Sequence, residues 1–343
     1  MKSNHVFKKL VCIISIILLL SILALVILLN IRPRPDVLEK YELGKSIGTN
    51  LPFTVTFLGN TNLLFDDGEN AWMTDAFFTR PPAREVLFGE IKPDEQVIRK
   101  TLGKAGIEKL DMIVPVHSHF DHAMDAAMVA DFTGATLFGS SSTMNIAKGY
   151  KLDEQQRLIP HWDSLYTIGK FEIRFIKSRH WQYPDEERRE ALLNNEIIDS
   201  LFTPACYKEY KEGDSYTILV SYDSLNLAIQ GSAGYRQGSL PTDFKADVLF
   251  LAIAGLETMD VNYKDEYQEY LIDPLQPKVL VPIHWDDFTT PLGDELKTTN
   301  LIFNWKFKSN LGQAFNEIEV RNREKTIKVL KPWERYNILE IMK

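Results

Sequence analysis

His117-Ser118-His119-Phe120-Asp121-His122 gathers three imidazoles and one carboxylate within six positions. The stretch before it, residues 112–116, is apolar and largely β-branched, and reads as a buried strand. The stretch after it, residues 123–130, reads as a helix. The four side chains are therefore predicted to sit on a turn at the C-terminal end of a strand. Neutral imidazole and carboxylate are the ligands that Zn²⁺ and similar cations favour. A lone histidine at a strand end is commonly a hydrogen-bonded structural residue. Four ligand-type side chains so close together, left unmatched, would strand several polar groups at a buried turn. The run is read as a metal site built for chemistry.

Seven histidines occur in the chain. His5 precedes an apolar run, and His161 follows Pro160 with no evident partner. His180 and His284, like the cluster, each lie just beyond a predicted strand, at 171–175 and 278–283. Strand ends of one sheet open into a shared crevice, so the five can converge. Two adjacent sites result. His117, His119 and His180 form the first, with the three-ligand pattern of catalytic zinc. Asp121, His122 and His284 form the second. Two ions about 3.5–4 Å apart can clamp a substrate oxygen, and a bound water's pKa falls to about 7.

Outward from the cluster the pattern is β-rich. Residues 53–58 alternate, 61–65 and 71–74 form further short strands, and turn residues separate them. Helices are expected at 93–106, 141–148, 263–271 and 300–311. Strands are expected at 135–139, 247–253 and near Ile318 and Ile327, with a hairpin of 215–222 and 225–230. Residues 181–213 are irregular and aromatic; Trp181, Tyr183, Phe202, Tyr207 and Tyr210 make either a lid over the site or a satellite core. Strands arriving in runs favour sheet packed on sheet over a doubly wound parallel sheet.

The formal charge is −8. The first 31 residues hold three lysines and no acids, leaving 36 basic and 47 acidic residues, net −11, for the rest. Such a domain repels polyphosphate, so nucleic acid is not an expected partner. Only Cys12 and Cys206 are present, which excludes a disulfide framework and a cysteine-rich zinc module. Residues 10–31 are uncharged and almost wholly apolar over 22 positions. A membrane-crossing helix needs about 20; a signal peptide's apolar region is shorter, about 7–15, and ends in small residues. The expected division is a cytosolic tail at 1–9, a transmembrane anchor at 10–31, a stalk at 32–52 and a catalytic domain at 53–343. Lys2, Lys8 and Lys9 outweigh the diluted Arg32 and Arg34, placing the N-terminus in the cytosol and the domain outside.

His-x-His-x-Asp-His, with His180 and His284 downstream, resembles the metallo-β-lactamase superfamily of hydrolases. Thr56-Phe57-Leu58-Gly59, Thr74-Asp75 and Gly134-Ala135 fit its opening half. Gln230-Gly-Ser-Ala-Gly-Tyr235 and Pro282-Ile-His-Trp-Asp286 look like its ascorbate-phosphate lactonase and N-acyl phosphatidylethanolamine phospholipase D branch. The resemblance covers about residue 53 onward. It implies an α+β, four-layer αββα sandwich with one or two Zn²⁺ or other divalent ions at one edge. It also implies hydrolysis of an ester, lactone, amide or phosphodiester by a metal-bound hydroxide that Asp121 orients. A phospholipase D-like phosphodiesterase, acting on a lipid rather than a small molecule, and a non-catalytic metal-stabilised binding or sensor module are the competing readings. One departure stands out. Where the family has Asp in a Gly-Asp-x-Gly turn, this chain has Gly231-Ser232-Ala233-Gly234. Neutral Ser232 cannot bridge two cations, so weaker second-site binding is expected. Ser232 is either a plain turn residue or a contact for water or substrate. Asp75 either orients a ligand histidine or ends its strand, Asp125 is expected to be structural, and Asp223 a solvated turn residue.

Overall fold

Alternating apolar residues pack two seven-stranded sheets face to face. The computed structural model describes residues 2–44, 53–193 and 195–343. The first sheet begins with β1 (Thr54–Phe57), β2 (Leu63–Asp66), β3 (Ala71–Thr74), β4 (Met112–Val114), β5 (Thr136–Phe138) and β6 (Arg157–Leu158). The second holds β7 (Leu165–Ile168), β8 (Phe171–Lys177), β9 (Tyr216–Tyr222), β10 (Leu225–Gln230), β11 (Val248–Ala252), β12 (Val279–Ile283) and β13 (Thr326–Ile327). A last strand, β14 (Arg335–Asn337), returns to pair with β1. The orders are β14-β1-β2-β3-β4-β5-β6 and β13-β12-β11-β10-β9-β8-β7. Each sheet is mixed. β14 to β3 and β7 to β10 pair antiparallel; β3 to β6 and β10 to β13 pair parallel.

The period of two decides which side chain fills which layer. Val55, Phe57, Phe65 and Trp72 point inward to meet Phe171, Ile173, Val220 and Phe250 of the other sheet. Phe65 stacks on Trp72 at 4.5 Å and meets Phe250 edge-on at 5.7 Å. The intervening Leu64, Met73, Ile113 and Leu137 face outward, against helices Glu95–Ala105, Ala126–Thr133 and Ser141–Tyr150. Tyr267, Leu271, Ala314 and Phe315 join the core of the second sheet from its own helices. The sandwich with helices outside is the architecture expected.

Local expectations fail where short-range pattern is ambiguous. Ile318 lies in helix Leu311–Arg321, not in a strand; it is buried with Ala314 and Phe315 at helical spacing. The single helix expected over 300–311 is instead Leu301–Phe307, capped by Asn300, and a new helix starts after the Asn310 cap. Asp185 caps a helix, Glu186–Leu192, inside the stretch expected to be irregular.

The expected stalk is partly folded chain. Helix Asp36–Tyr41 buries Leu38 in the main core. Tyr41 and Leu43 exchange backbone hydrogen bonds with Val329 at 2.8 and 2.9 Å, and Glu42 pairs with Lys331 at 2.7 Å. A polar, proline-bearing composition hid one apolar anchor residue. The remainder of that stretch, 45–52, lies outside the described residues. Before it, helix Lys2–Asn30 contains a span, Phe7–Asn30, long and apolar enough to cross a membrane, with mean hydropathy 3.4 and none of it buried within the protein. Leu38→Ala is expected to destabilise the domain by about 2–5 kcal/mol in denaturant titration; a free stalk would give no change.

Candidate metal centre

β4 runs into the cluster, and the cluster itself starts a helix. Helix Phe120–Ala123 takes Asp121 and His122 into its first turn, so it begins three residues before the expected start at 123. His117 and His119 precede it, His180 lies beyond β8, and His284 follows β12 directly. The fold brings all six residues to one edge of the sandwich. Ring or carboxylate atoms of His117, His119 and His180 lie within 4.8 Å of one another, and so do those of Asp121, His122 and His284. These are the two triads expected from spacing. The His117 and His122 rings are 3.9 Å apart, so the triads adjoin. His161 is exposed and elsewhere, as is His5.

Hydrogen bonds fix the rings. Asp75 Oδ2 accepts from His122 Nδ1 at 2.8 Å, and Asp75 Oδ1 accepts from the Val116 amide at 2.8 Å. Thr61 donates to the same carboxylate. Asp75 thus orients His122, the first of its two expected uses. It does so from strained backbone: Asp75 and Ala76 have φ of 59° and 65°, and His284 has 55°. His180 Nδ1 donates to Trp181 O at 2.5 Å, while its amide donates to Glu212 Oε1 at 3.0 Å. Ser232 Oγ accepts from the Trp181 amide at 2.9 Å. The serine thus steadies the chain beside His180, and Gly234 lets that chain pass: a Cβ there would lie 2.1 Å from Arg179 O. Asp223 is exposed in its hairpin turn with φ of 50°.

A support that spacing did not reveal comes from the β1–β2 turn. Asn60 donates from Nδ2 to Asp121 O at 2.5 Å and accepts from the His284 amide at 2.7 Å. Its own amide donates to Asp286 Oδ1 at 2.7 Å. Asp286 Oδ2 meets Arg80 Nη1, also at 2.7 Å, in a fully buried ion pair. Gly59, at φ of 76°, leaves space for Arg80, whose Nη2 would be 2.2 Å from a Cβ. Asn60 thereby ties two residues of the second triad, 163 positions apart in sequence numbering from 121 to 284, to a single turn. Gly59-Asn60 is legible as a turn, but nothing local reveals its partners.

Burial and charge set the protonation states. Burial, then His122, holds His117 well below the usual imidazole range; burial, then His180, does the same to His119. Burial lowers His180 to about 4. Burial would also depress His122, but the Asp75 and Asp121 carboxylates override it and push that ring up to about 10. Burial raises Asp121, yet His122 and His284 outweigh it and keep its carboxyl well below the usual range.

The donor set fits a cation. His117 Nδ1, His122 Nε2 and His284 Nδ1 are buried without a hydrogen-bond partner. His117 Nε2 and His119 Nδ1 stand 3.1 Å apart on rings that burial keeps neutral. Buried polar atoms are ordinarily paired, and a dication is the partner that imidazole and carboxylate jointly suit. Phe120 and Phe288 pack at 6.0 Å, Phe288 lies 5.7 Å from His284, and Tyr183 lies 5.3 Å from His180. The aromatics of 181–213 therefore divide. Trp181 and Tyr183 flank the site, Tyr207 backs Phe120, Tyr210 is core, and Phe202 is exposed.

Sandwich and site together define a metal-dependent hydrolase of the metallo-β-lactamase kind. Residues 54–284 match the family model for the beta-lactamase superfamily domain, and the chain belongs to that family. It is 33% identical over 247 residues to a metal-dependent hydrolase of Myxococcus xanthus, covering 71% of this chain and 77% of the relative. A metal-dependent hydrolase of Carboxydothermus hydrogenoformans is 24% identical over 242 residues, covering 70% and 88%. Among solved structures, a metallo hydrolase from Ignicoccus hospitalis is similar with a TM-score of 0.49 and 16% identity, over 83% of this chain and 97% of that one.

Asp286→Ala is expected to cost about 3–5 kcal/mol in denaturant melts, because Arg80 is left buried without its counter-charge; Arg80→Met with Asp286→Leu should recover most of that loss. Asp125 gives a pH signature. Its carboxylate accepts from the Phe78 and Thr79 amides at 2.7 and 2.6 Å, the structural use expected, while burial raises it to about 6. A raised carboxyl stabilises the fold below its unfolded pKa and loses that contribution as pH rises through the folded value. The stability of the wild type relative to Asp125→Asn should therefore fall between pH 4 and 6 and level off above, as followed by chemical denaturation across pH.

Proposed function

We propose that this chain is a membrane-anchored hydrolase that holds one or two Zn²⁺ ions and cleaves an ester, lactone, amide or phosphodiester bond. The observation that carries the reading is the pair of adjacent three-residue groups, in which the ring nitrogens His117 Nδ1, His122 Nε2 and His284 Nδ1 are buried without a partner. His117, His119 and His180 would hold one ion; Asp121, His122 and His284 the other. Bound there, the metal supplies Lewis-acid polarisation of the electrophile and lowers the pKa of water.

The chain's own groups do the positioning. Asp75 holds the Nδ1–H of His122, which turns Nε2 toward the cluster, 3.3 Å from Asp121 Oδ2. Trp181 O does the same for His180 through Nδ1. Asp121 Oδ2, 3.5 Å from His284 Nε2 as well, orients the attacking water and accepts its proton. Phe120, Phe288 and Tyr183 offer apolar walls, suited to an apolar or ring-bearing group beside the scissile bond. The apolar helix Phe7–Asn30 favours a lipid or envelope substrate over a freely soluble one. The N-terminus lies in the cytosol and the domain outside. Ser232 supplies no bridging charge, so the second site is the weaker.

Purified full-length protein is expected to carry at least one tightly held divalent ion per chain by elemental analysis. A screen over phosphodiester, lactone, amide and thioester substrates should find turnover that His117→Ala abolishes together with the metal. Asp75→Ala should lower metal affinity or turnover by about 10–100-fold. Metal-free protein after gentle purification, or turnover that survives in His117→Ala, would sink the reading.

A further inference from the structure

The end of the apolar helix is not a free tether. Ile31 O accepts from the Leu301 amide at 3.1 Å, and Arg32 Nη1 donates to Asp287 Oδ2 and Thr298 O, both at 2.6 Å. Thr298 Oγ1 closes back on Pro33 O at 2.8 Å. These contacts place helix Leu301–Phe307 against the helix that ends at Asn30. If the apolar helix crosses a bilayer, backbone geometry alone sets helix Leu301–Phe307 at the level where the chain leaves the hydrocarbon.

Its composition fits that level. Trp305 is 83% exposed and Phe303 is 41% exposed. Lys297, Lys306 and Lys308 are exposed, and residues 296–310 contain no acid. Glu257, which reaches this stretch from outside, is engaged by Ser309 Oγ at 2.7 Å and the Asn310 amide at 3.1 Å. Exposed aromatics among lysines suit the boundary between acyl chains and headgroups, where an indole ring is half apolar and half hydrogen-bonded.

We propose that helix Leu301–Phe307 docks on the bilayer surface beside the emerging apolar helix, forming a two-point seat that holds the loop after His284 at the headgroup layer. Asp287, which grips Arg32, is three residues from His284, a chain length of at most about 11 Å. Phe288, which packs against the His284 ring, is the next residue. An amphiphile held in the headgroup layer is therefore the substrate class within reach. The inference rests on the membrane-anchored reading above.

Full-length protein in vesicles of mixed neutral and anionic phospholipid tests it. Spin labels are placed at Leu19→Cys, Trp305→Cys and Asp223→Cys, each with Cys12→Ser and Cys206→Ser. Asp223 marks the opposite edge of the sheet, in the β9–β10 turn. Lipid-like oxygen accessibility is expected at 19, interfacial accessibility at 305 and aqueous accessibility at 223. With Trp305 in place, brominated lipid should quench a share of tryptophan emission that Trp305→Phe removes. Lipid at 19 with water at 305 overturns the docking alone. Water at both overturns the anchor and the docking with it. Spin–spin broadening at 305 would show a second copy covering the helix, and would also overturn the proposal.

Discussion

Six ligand-type side chains are crowded into one buried edge, and their lone pairs and charges do not satisfy one another. Burial drives the His117, His119 and His180 rings toward neutrality, while two carboxylates demand positive charge at His122. Such a cluster is costly in a low-dielectric interior unless something holds it open. The surrounding structure reads as the answer to that constraint. Asp75, Asn60, Trp181 O and the Arg80–Asp286 pair fix the rings and loops around it, and Asn60, Asp75, Ala76, Arg80 and His284 accept left-handed backbone.

The two sheets supply the geometry. Each combines an antiparallel half with a parallel half, and the chain leaves β4, β8 and β12 toward a common edge. The first triad joins the β4 and β8 exits; the second joins β4 to β12. The same sandwich explains why support comes from afar. The β1–β2 turn reaches Asp121 on one side and His284 on the other. Ser232, from the turn after β10, serves the backbone beside His180.

The N-terminal segment belongs to this frame as well. Leu38 enters the core, and Arg32 grips the loop that follows His284. The apolar helix and the edge that carries the candidate ligands are thereby joined by folded chain from residue 31 to 44, whatever surface the helix meets.

What sequence alone determined was local or periodic. The period of two disclosed most strands, and the density of ligand-type residues at 117–122 disclosed the cluster, because both depend on near neighbours. His180 and His284 were legible for the same reason: each follows an apolar strand. The misreadings fell where the local signal was thin. Ile318 is one apolar residue in a mixed stretch, and only its burial with Ala314 and Phe315 shows the helix. Leu38 is one apolar residue among charges. The tertiary structure alone decided which role Asp75 and Ser232 take, that Arg80 pairs with Asp286 and that Asn60 joins the two sides of the edge. Those are contacts across long sequence separations, settled by how two sheets pack, and no spacing along the chain encodes them.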